Sequence, residues 1–550
     1  MSNQTATRGG SFLLGEPEGV FAPEQFNEQQ RLIADTAERF AQEEIAPAGE
    51  RIEAKDFATT RALLRQAGEL GLTGADVPEM YGGMGMDFTA SAIVADHLAV
   101  QGSFSVAFGA HAGIATLPLV FFGSEEQKRR YLPRLATAEW IGAYALSEAG
   151  SGSDALAMRT QVEPQAGGGW RLNGEKMWIS NAGFADLFTV FAKLEGKVTA
   201  FLVEATTEGV STGAEEHKMG IHGSSTRALL LRDVRLRPES VLGKPGEGAR
   251  IAFQILNVGR FKLGAACIGG ARNCLREAIA YAKQRHAFGQ PIAEFELIRE
   301  HVARMATELF AAESTVYRTV GLMDAFHGLD EFAMECSIVK VQASEMLDDV
   351  VDRAVQLHGG NGFVHGNLAE QAYRDARVNR IFEGTNEINR MLLTGMALRR
   401  AQKGELPLGE QVEAVVAEML GPAQTHSPSE QARRAALLVA GLAVRRHGEA
   451  LEQRQVLLAA VADLMIAVYV LQAVAARQPQ ALMTQAITSR VLDAVEVTAR
   501  RALAAISHGD ELRTQAAWLR RLLKREPVDV AGLEQQIAER VLEAGGYTPL

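Results

Sequence analysis

The spacing of apolar residues divides the chain into helical and extended segments. In residues 28–45 (EQQRLIADTAERFAQEEI) and 59–72 (TTRALLRQAGELGL), apolar side chains recur three and four positions apart, which is the period of an amphipathic helix. Beyond residue 140 the pattern changes to short apolar runs between glycine and charged turns, which is typical of strands: ADLFTVFAKL, KVTAFLVEA and STRALLLRDVRL. Asn173-Gly174, within residues 167–182 (GGGWRLNGEKMWISNA), predicts the turn of a β-hairpin.

The helical period returns at about residue 249 and continues through the remaining sequence. Long amphipathic runs cover residues 250–285, 293–326 and 330–360, and Gly359-Gly360 is expected to end the third run. A linker-like patch, KGELPLGE, then precedes a last stretch rich in Ala, Leu and Arg. We predict a mainly α fold with a central β domain, in four parts: an N-terminal helical domain (1–135), a β-barrel-like domain (136–248), a helical bundle domain (249–400) and a C-terminal helical extension (401–550).

One segment of this extension, residues 455–476 (QVLLAAVADLMIAVYVLQAVAA), is long and apolar enough to span a bilayer. Asp463 lies inside it, and its commonest residue is alanine, which is only weakly hydrophobic. We therefore predict a buried or interfacial helix rather than a membrane span.

Composition narrows the class of protein. Hydrophobic residues make up 47% of the chain and charged residues 22%, as in soluble globular proteins, and the net charge of −11 disfavours nucleic-acid binding. The three cysteines (Cys267, Cys274 and Cys336) are too few for a disulfide scaffold and fit a reducing compartment. No His/Cys cluster has zinc spacing, so no metal is expected, and the N-terminus lacks the pattern of a secretory signal.

Two segments in the predicted β domain contain residues suited to a cofactor. Residues 144–160 (YALSEAGSGSDALAMRT) supply glycine and serine donors that suit a phosphate or a flat ring, although an ordinary loop has the same composition. In residues 176–188 (KMWISNAGFADLF), Trp178 could stack beside a flat cofactor and Ser180 could hydrogen-bond to it. The alternative for this second segment is a strand with a core tryptophan.

A third segment, residues 356–390, joins a Gly-Gly turn, a basic stretch and the sequence IFEGTNEI. Its Glu383 follows two large apolar residues and precedes a glycine. Apolar surroundings disfavour the charged form of a carboxylate and so move its pKa towards values useful for a base. Taken alone, a single glutamate is more commonly a solvated helix residue.

Together, in this order and at these separations, the three segments resemble the acyl-CoA dehydrogenase family. The resemblance runs from about residue 25 to 398 and includes RHAFGQPI (285–292) and KMGIHGSSTRALLLRDVRLRPESVLG (218–243). It implies a helical–β–helical fold that holds FAD between the β domain and the second helical domain. The additional residues 410–550 resemble the extension of the very-long-chain subgroup, whose members form dimers and associate with membranes.

The resemblance also assigns residues to FAD. The residues expected to border the flavin are Tyr144, Leu146, Ser147, Ser153, Trp178 and Ser180, with Ser180 near N5. The residues expected to contact the FAD of a neighbouring subunit are Arg285, Phe288, Gln356 and Gly360. Thr385 and Glu387 are expected beside the adenosine half.

In this family the glutamate of the EGT motif is the catalytic base, and the resemblance implies the same role for Glu383, which matches that glutamate. Glu383 would remove the α-proton of an acyl-CoA while the β-hydrogen leaves as hydride to the flavin, and the product would be a trans-2-enoyl-CoA. The thioester carbonyl would be stabilised by the backbone N–H of Glu383 and a hydroxyl of FAD. Some subfamilies carry the base on another helix near Arg260, but the sequence Glu383-Gly384-Thr385 favours the commoner arrangement.

Substrate contacts follow from the same resemblance. Arg260 would help to hold the active-site helix and the CoA side, and Gly384 would lie at the substrate. Val106, Gly109 and Ala110 would form the floor of the acyl pocket, where small residues leave room for additional methylenes. We therefore expect a long-chain acyl-CoA, although the same small residues would also permit tight helix packing.

The expected setting is fatty acid β-oxidation, with electrons passed to an electron-transfer flavoprotein and the chain forming at least a dimer. We expect a cytoplasmic protein, because a mitochondrial targeting sequence is absent. Arg433, Arg434, Arg445 and Arg446 leave open whether residues 401–550 touch the inner face of a membrane or only pack. Two alternative functions are an acyl-CoA oxidase and a non-catalytic scaffold on the same fold.

Overall fold

A computed structural model describes residues 8–17, 19–326, 328–422, 424–477 and 481–549. The chain divides into two compact units. The first unit comprises Met1–Gln25, Ala271–Glu370 and Gly384–Leu550, and the second comprises Phe26–Gly270 and Gln371–Glu383.

Helices form most of the described chain. Those that begin before the sheet are α1 Glu28–Phe40, α2 Gly49–Glu53, α3 Phe57–Glu69, α4 Phe88–His97, α5 Gly102–Phe108, α6 Leu117–Phe122 and α7 Glu125–Ala136. Those that follow it are α8 Gly248–Gln284, α9 Glu296–Phe326, α10 Ala333–His358, α11 Leu368–Ala376 and α12 Asn386–Gln402. The extension adds α13 Leu408–Leu420, α14 Pro428–His447, α15 Gln455–Ala475, α16 Ala481–Ile506, α17 Gly509–Leu522 and α18 Val530–Ala544. Two π-helical stretches, Ala41–Ile45 and Gly109–Ala115, follow α1 and α5 directly.

An eight-stranded sheet forms the centre of the second unit. Its strands are β1 Gly142–Ala145, β2 Gln161–Pro164, β3 Trp170–Ser180, β4 Leu187–Leu194, β5 Lys197–Glu204, β6 Val210–Thr212, β7 Thr226–Leu236 and β8 Val241–Leu242. Their order is β6-β7-β3-β2-β4-β5-β8, with β1 added in parallel to β4. Alternate residues of these strands, such as Phe188, Val190 and Phe201, build one buried core. A separate two-stranded ribbon, β9 His286–Ala287 and β10 Gln290–Pro291, lies in the first unit.

The hairpin predicted at Asn173-Gly174 is wrong. Strand β3 runs without interruption through both residues, and a register shift against β7 lies between Leu172 and Gly174. The side chain of Asn173 accepts the backbone N–H of Asp233 at 2.7 Å, so it supports the sheet rather than a turn. The chain reverses instead between β2 and β3, where Gly167, Gly168 and Gly169 all have positive φ.

The predicted helices agree with the observed ones. Helix α10 ends at His358, and Gly359 follows it with a φ of 57°, as the Gly-Gly signal predicted. Within the described part of the chain, helix α15 is one of three helical segments that are long and apolar enough to cross a membrane, and 72% of its most apolar 18-residue stretch is buried inside the fold. Its Asp463 accepts Arg390 Nε at 2.7 Å. The prediction of a buried helix is confirmed.

The extension shares its hydrophobic core with helices that precede it. This core combines α10 and α12 residues such as Met334 and Leu393 with residues of α13 to α17. The N-terminal segment joins the same core, because Phe12 packs edge-on against Tyr469 at 5.3 Å between ring centroids. Gln472 also donates to the Phe12 and Gly15 carbonyls at 3.0 Å. The extension is therefore built into the first unit.

Candidate active site

Glu383 lies in the wall of a small cavity within the second unit, of about 120 Å³. Helix α8 contributes one face through Gly259, Lys262, Leu263 and Ala266, whose spacing of three and four residues puts them on one side of a helix. The segment from α5 through the π-helical stretch contributes Ser105, Val106, Phe108, Gly109, Ala110, Gly113 and Ile114. Ala95, Leu98, Ser180, Asn379 and Phe382 complete the lining.

The backbone at Glu383 holds its carboxylate over α8. Glu383 has a φ of +57°, a conformation that non-glycine residues seldom adopt and that is common at functional sites. A Cβ placed on Gly259 would lie 2.5 Å from Oε2 of Glu383, so glycine at this position makes room for the carboxylate. Arg260 Nε approaches the Glu383 carbonyl at 3.5 Å, while its Nη1 donates to Asn257 at 2.7 Å. The predicted supporting role of Arg260 is consistent with this geometry.

Two further groups shape the electrostatics around Glu383. Tyr144 is buried, and its hydroxyl lies 3.4 Å from the Ala252 carbonyl. Burial, together with the negative charge of Glu383, raises the pKa of Tyr144 well above its usual value, so this phenol stays neutral. Lys262 forms an ion pair with Asp76 at 2.6 Å, and both side chains are almost fully buried. Lys262 lines the same cavity as Glu383, but its ion pair is with Asp76.

The loop after β1 is attached to β3 by a buried ion pair. Lys176 Nζ lies 2.7 Å from Glu148 Oε1 and also donates to the Leu146 carbonyl at 3.1 Å. Glu148 in turn accepts the backbone N–H groups of Arg159 and Thr160. These bonds fix both ends of the segment that contains the predicted cofactor residues Ser147 and Ser153.

Trp178 projects from an irregularity in β3. The register against β7 shifts between Lys176 and Ile179, and Trp178 has a φ of +58° and remains 56% exposed. Two residues later, Ser180 lines the cavity that contains Glu383. A core tryptophan, the alternative explanation for this residue, is excluded by its exposure.

The remaining predicted residues lie in the first unit. Arg285 follows α8, and Tyr281, one turn earlier, stacks on His358 at the end of α10 with ring centroids 4.3 Å apart. This contact brings the segments of Arg285 and of Gln356 and Gly360 together. Phe288 stands 97% exposed at the tip of the β9–β10 ribbon with a φ of +53°.

Thr385, Gly384 and Glu387 surround the start of α12. Thr385 is its N-cap and accepts the Ile388 N–H at 3.2 Å, while Asn389 donates to the Gly384 carbonyl at 2.8 Å. Glu387 lies exposed in the first turn, where a negative charge suits the helix dipole.

Comparison with known proteins identifies the family of the chain. Profiles of the acyl-CoA dehydrogenase N-terminal, middle and C-terminal domains match residues 27–139, 143–234 and 246–398, and a further acyl-CoA dehydrogenase C-terminal domain profile matches 431–521. The chain belongs to the acyl-CoA dehydrogenase family. It is an FAD-dependent acyl-CoA dehydrogenase with a C-terminal helical extension, and its fold is the helical–sheet–helical fold of that family.

Individual relatives cover most or all of the chain. A protein of Bacillus subtilis (strain 168) described as "Probable acyl-CoA dehydrogenase" is 44% identical over 98% of each chain. The crystal structure of an acyl-CoA dehydrogenase complexed with FAD from Bacillus anthracis aligns with a TM-score of 0.96 and 43% identity, over 99% of this chain and 100% of that one. The very long-chain specific acyl-CoA dehydrogenase of Macaca fascicularis is 38% identical over 68% of this chain and 58% of its own.

The acyl-CoA dehydrogenase fold presents features that fit FAD. The indole of Trp178, which is exposed and held by a strained backbone, offers a flat face for a ring system, and Ser180, two residues later on β3, lines the Glu383 cavity. The Ser- and Gly-rich loop 147–153 is held at its base yet exposed at Gly150, Gly152 and Ser153, so its backbone is open to a phosphate.

Sequence reasoning missed Gly259, Lys262 and Asp76. Lys262 gave a signal that could have been used, because a lysine within the apolar run FKLGAACIGGA is expected to have a buried partner. Asp76 gave no such signal, since it lies in a turn-rich segment far from Lys262 in the chain.

Proposed function

We propose that Glu383 is the base that removes the α-proton of a long-chain acyl-CoA. The observation that carries this proposal is the position of the Glu383 carboxylate, which a strained turn holds above Gly259 and which lines the same cavity as Ser180 and Gly109. A base must lie within hydrogen-bond reach of the proton it removes, and this cavity offers the substrate carbon such a place.

Each of the following residues would have its own role in the reaction. Glu383 accepts the α-proton, and its backbone N–H donates to the thioester carbonyl, where negative charge develops. Arg260 restrains the peptide on the other side of Glu383 through its carbonyl. Tyr144 adds no competing charge, because its raised pKa keeps it neutral. FAD, when bound beside Trp178 and Ser180, supplies the acceptor for the β-hydrogen.

The acyl chain would extend from Glu383 along the α5 side of the cavity. Gly109, Ala110 and Gly113 present little or no side chain there, and Val106 is only half-buried. Each additional methylene buried against this wall would contribute about 0.8 kcal/mol. A long-chain substrate is the proposal that these small residues support.

The proposed setting is the first oxidation of fatty acid β-oxidation in the cytoplasm, with an electron-transfer flavoprotein as acceptor. A homodimer is supported by Phe288, whose almost complete exposure on an ordered ribbon suits contact with a second subunit. Contact with membranes is less well supported, because Arg433 is buried against Glu430 and Arg434 is paired with Glu418. Sedimentation with anionic vesicles would test it.

The deciding experiment is an anaerobic visible spectrum of the FAD-loaded protein before and after palmitoyl-CoA is added. We expect bleaching of the flavin band near about 450 nm in the wild type and none in Glu383→Gln. A Glu383→Gln variant that bleaches at the wild-type rate would refute the assignment of the base. Butyryl-, octanoyl- and palmitoyl-CoA compared at equal concentration test the chain length, and a higher kcat/KM for butyryl-CoA would refute the long-chain proposal.

The same sample tests the acceptor. Admission of air after bleaching should leave the flavin reduced for far longer than one catalytic turnover. Reoxidation at the turnover rate would instead identify an oxidase.

A further inference from the structure

The extension contains an apolar groove that takes no part in the proposed active site. Its volume is about 850 Å³, within the range of small-molecule sites, and it lies entirely in the first unit. The C-terminal half of α12 and helices α13, α14 and α15 form its walls. None of its lining residues belongs to the cavity around Glu383.

Helix α13 turns a continuous aliphatic stripe into this groove. Leu408, Val412 and Val416 recur every four residues and are only half-buried, and Leu420, the next in the series, is 78% exposed. The opposite wall, from α14, includes Gly441, whose backbone approaches Val412 so closely that a Cβ would collide with it. The groove is thus narrow at that crossing and open at the Leu420 end.

The polar residues of the groove are few. Arg445 and Glu413 are its charged lining residues, and both side chains are exposed. Within the described part of the chain Arg445 makes no ion pair, in contrast to Arg433 and Arg434 on the same helix, which are neutralised by Glu430 and Glu418. A long aliphatic wall with a single uncommitted guanidinium is complementary to one alkyl chain that ends in an anion.

We propose that this groove binds a free long-chain fatty acid, with its alkyl chain along α13 and its carboxylate at Arg445. A coenzyme A ester fits less well, because its several phosphates would meet one arginine and the opposing Glu413. This site is additional to the proposed acyl-CoA site and does not depend on Glu383.

Affinity should rise with chain length. Each buried methylene is worth about 0.8 kcal/mol, which corresponds to a roughly fourfold tighter Kd until the groove is filled. Neutralising Arg445 should weaken carboxylate binding about tenfold, whereas Glu413→Gln should strengthen it, since a like charge is removed.

The test is a fluorescence titration of the FAD-loaded full-length protein with cis-parinaric acid. Two matched variants on α13 separate this groove from every other site, because Ala417 lines it and Ala414 does not, although both are exposed. We expect Ala417→Trp to weaken binding at least tenfold and Ala414→Trp to leave it unchanged. Equal affinities for the two variants would overturn the proposal, as would equal affinities of Arg445→Gln and the wild type.

Two further measurements test whether anything other than a free fatty acid occupies the groove. The methyl ester of the same fatty acid should bind more weakly than the acid, and equal binding would overturn the role of the carboxylate. Sedimentation velocity should give the same mass for Ala417→Trp and Ala414→Trp. A smaller mass for Ala417→Trp alone would show that a second copy of this chain occupies the groove, and would overturn the fatty-acid assignment.

Discussion

A Lys176→Met variant removes the charge that neutralises Glu148 inside the second unit. The two side chains are 0% and 8% exposed, and their charged atoms lie 2.7 Å apart. Glu148 would keep the backbone N–H groups of Arg159 and Thr160, at 2.5 and 3.0 Å. Methionine fills a similar volume but provides no positive charge, so the carboxylate would remain buried without its counter-ion.

The expected cost follows from that burial. Removing one partner of a buried ion pair costs about 3–5 kcal/mol, because the other charge stays desolvated. Burial acts to raise the pKa of Glu148, but the bonds from Lys176, Thr160 and Arg159 outweigh it and lower the pKa overall. The stabilisation from Glu148 is therefore present above its unfolded pKa and is lost as the pH falls through its folded value. We expect the variant to lose about 3–5 kcal/mol at pH 7 and less in acid.

Urea unfolding followed by circular dichroism measures this loss, and flavin fluorescence measures any accompanying release of FAD. Lys197→Met is the matched control, because Lys197 is exposed on β5 and should change stability by less than about 0.5 kcal/mol. A Lys176→Met/Glu148→Gln double variant should recover part of the loss. A single variant within about 1 kcal/mol of the wild type would refute the reasoning, since it would mean that Glu148 is effectively solvated.

Three further predictions concern other positions. Gly259→Ala should displace the Glu383 carboxylate, because the added Cβ would lie 2.5 Å from Oε2. We expect kcat/KM to fall about 10²-fold while the circular dichroism spectrum is unchanged, and an unaltered kcat/KM would contradict this. Burial raises the pKa of Asp375 to about 7, so the wild type should lose stability as the pH rises from about 4 to 7, by up to ~1.4 kcal/mol per pH unit. Asp375→Asn should flatten that dependence in urea titrations at several pH values, and an identical slope would argue against it. Arg477→Met should lower the free energy of unfolding by about 3–5 kcal/mol, because Arg477 is fully buried and forms ion pairs with Glu313 and Glu24. The loss should be seen as a lower Tm, and a Tm equal to that of the wild type would count against a buried charge network.

Local patterns predicted the elements whose signals agree with their surroundings. The helical period identified α8, α9 and α10 to within a few residues, and the glycine after His358 ended α10 as expected. The β-hairpin turn predicted at Asn173-Gly174 did not form, because pairing with neighbouring strands keeps these residues within β3. Strand β3 pairs with β2 through residues 170–173 and with β7 on its other side from residue 170 to residue 180, and the three successive glycines 167–169 provided an easier place for the chain to reverse.

In the candidate site, too, some residues could be predicted from the sequence and others could not. Trp178, Ser180 and Glu383 lie in short motifs that resemble those of the acyl-CoA dehydrogenase family, so each could be predicted as a candidate site residue before the fold was known. Gly259 could not, although it is adjacent to Arg260, because its importance lies only in the space it leaves for a carboxylate 124 positions away in the sequence. Residues that act by being small leave no chemical signature of their own.

Charge along the extension could not be interpreted without its distant partners. Arg433 looks like part of a basic amphipathic helix, yet it donates to the Leu13 carbonyl and to Gln411 and Glu430. The core that buries it also contains Phe12 and Met334, so removing residues 410–550 would expose apolar surface on the remaining chain. Vesicle binding by such a truncated protein would report that new surface rather than a lost lipid contact. Single substitutions at the exposed Arg445 and Arg446 keep the core intact, and they are therefore the better test of what the extension contacts.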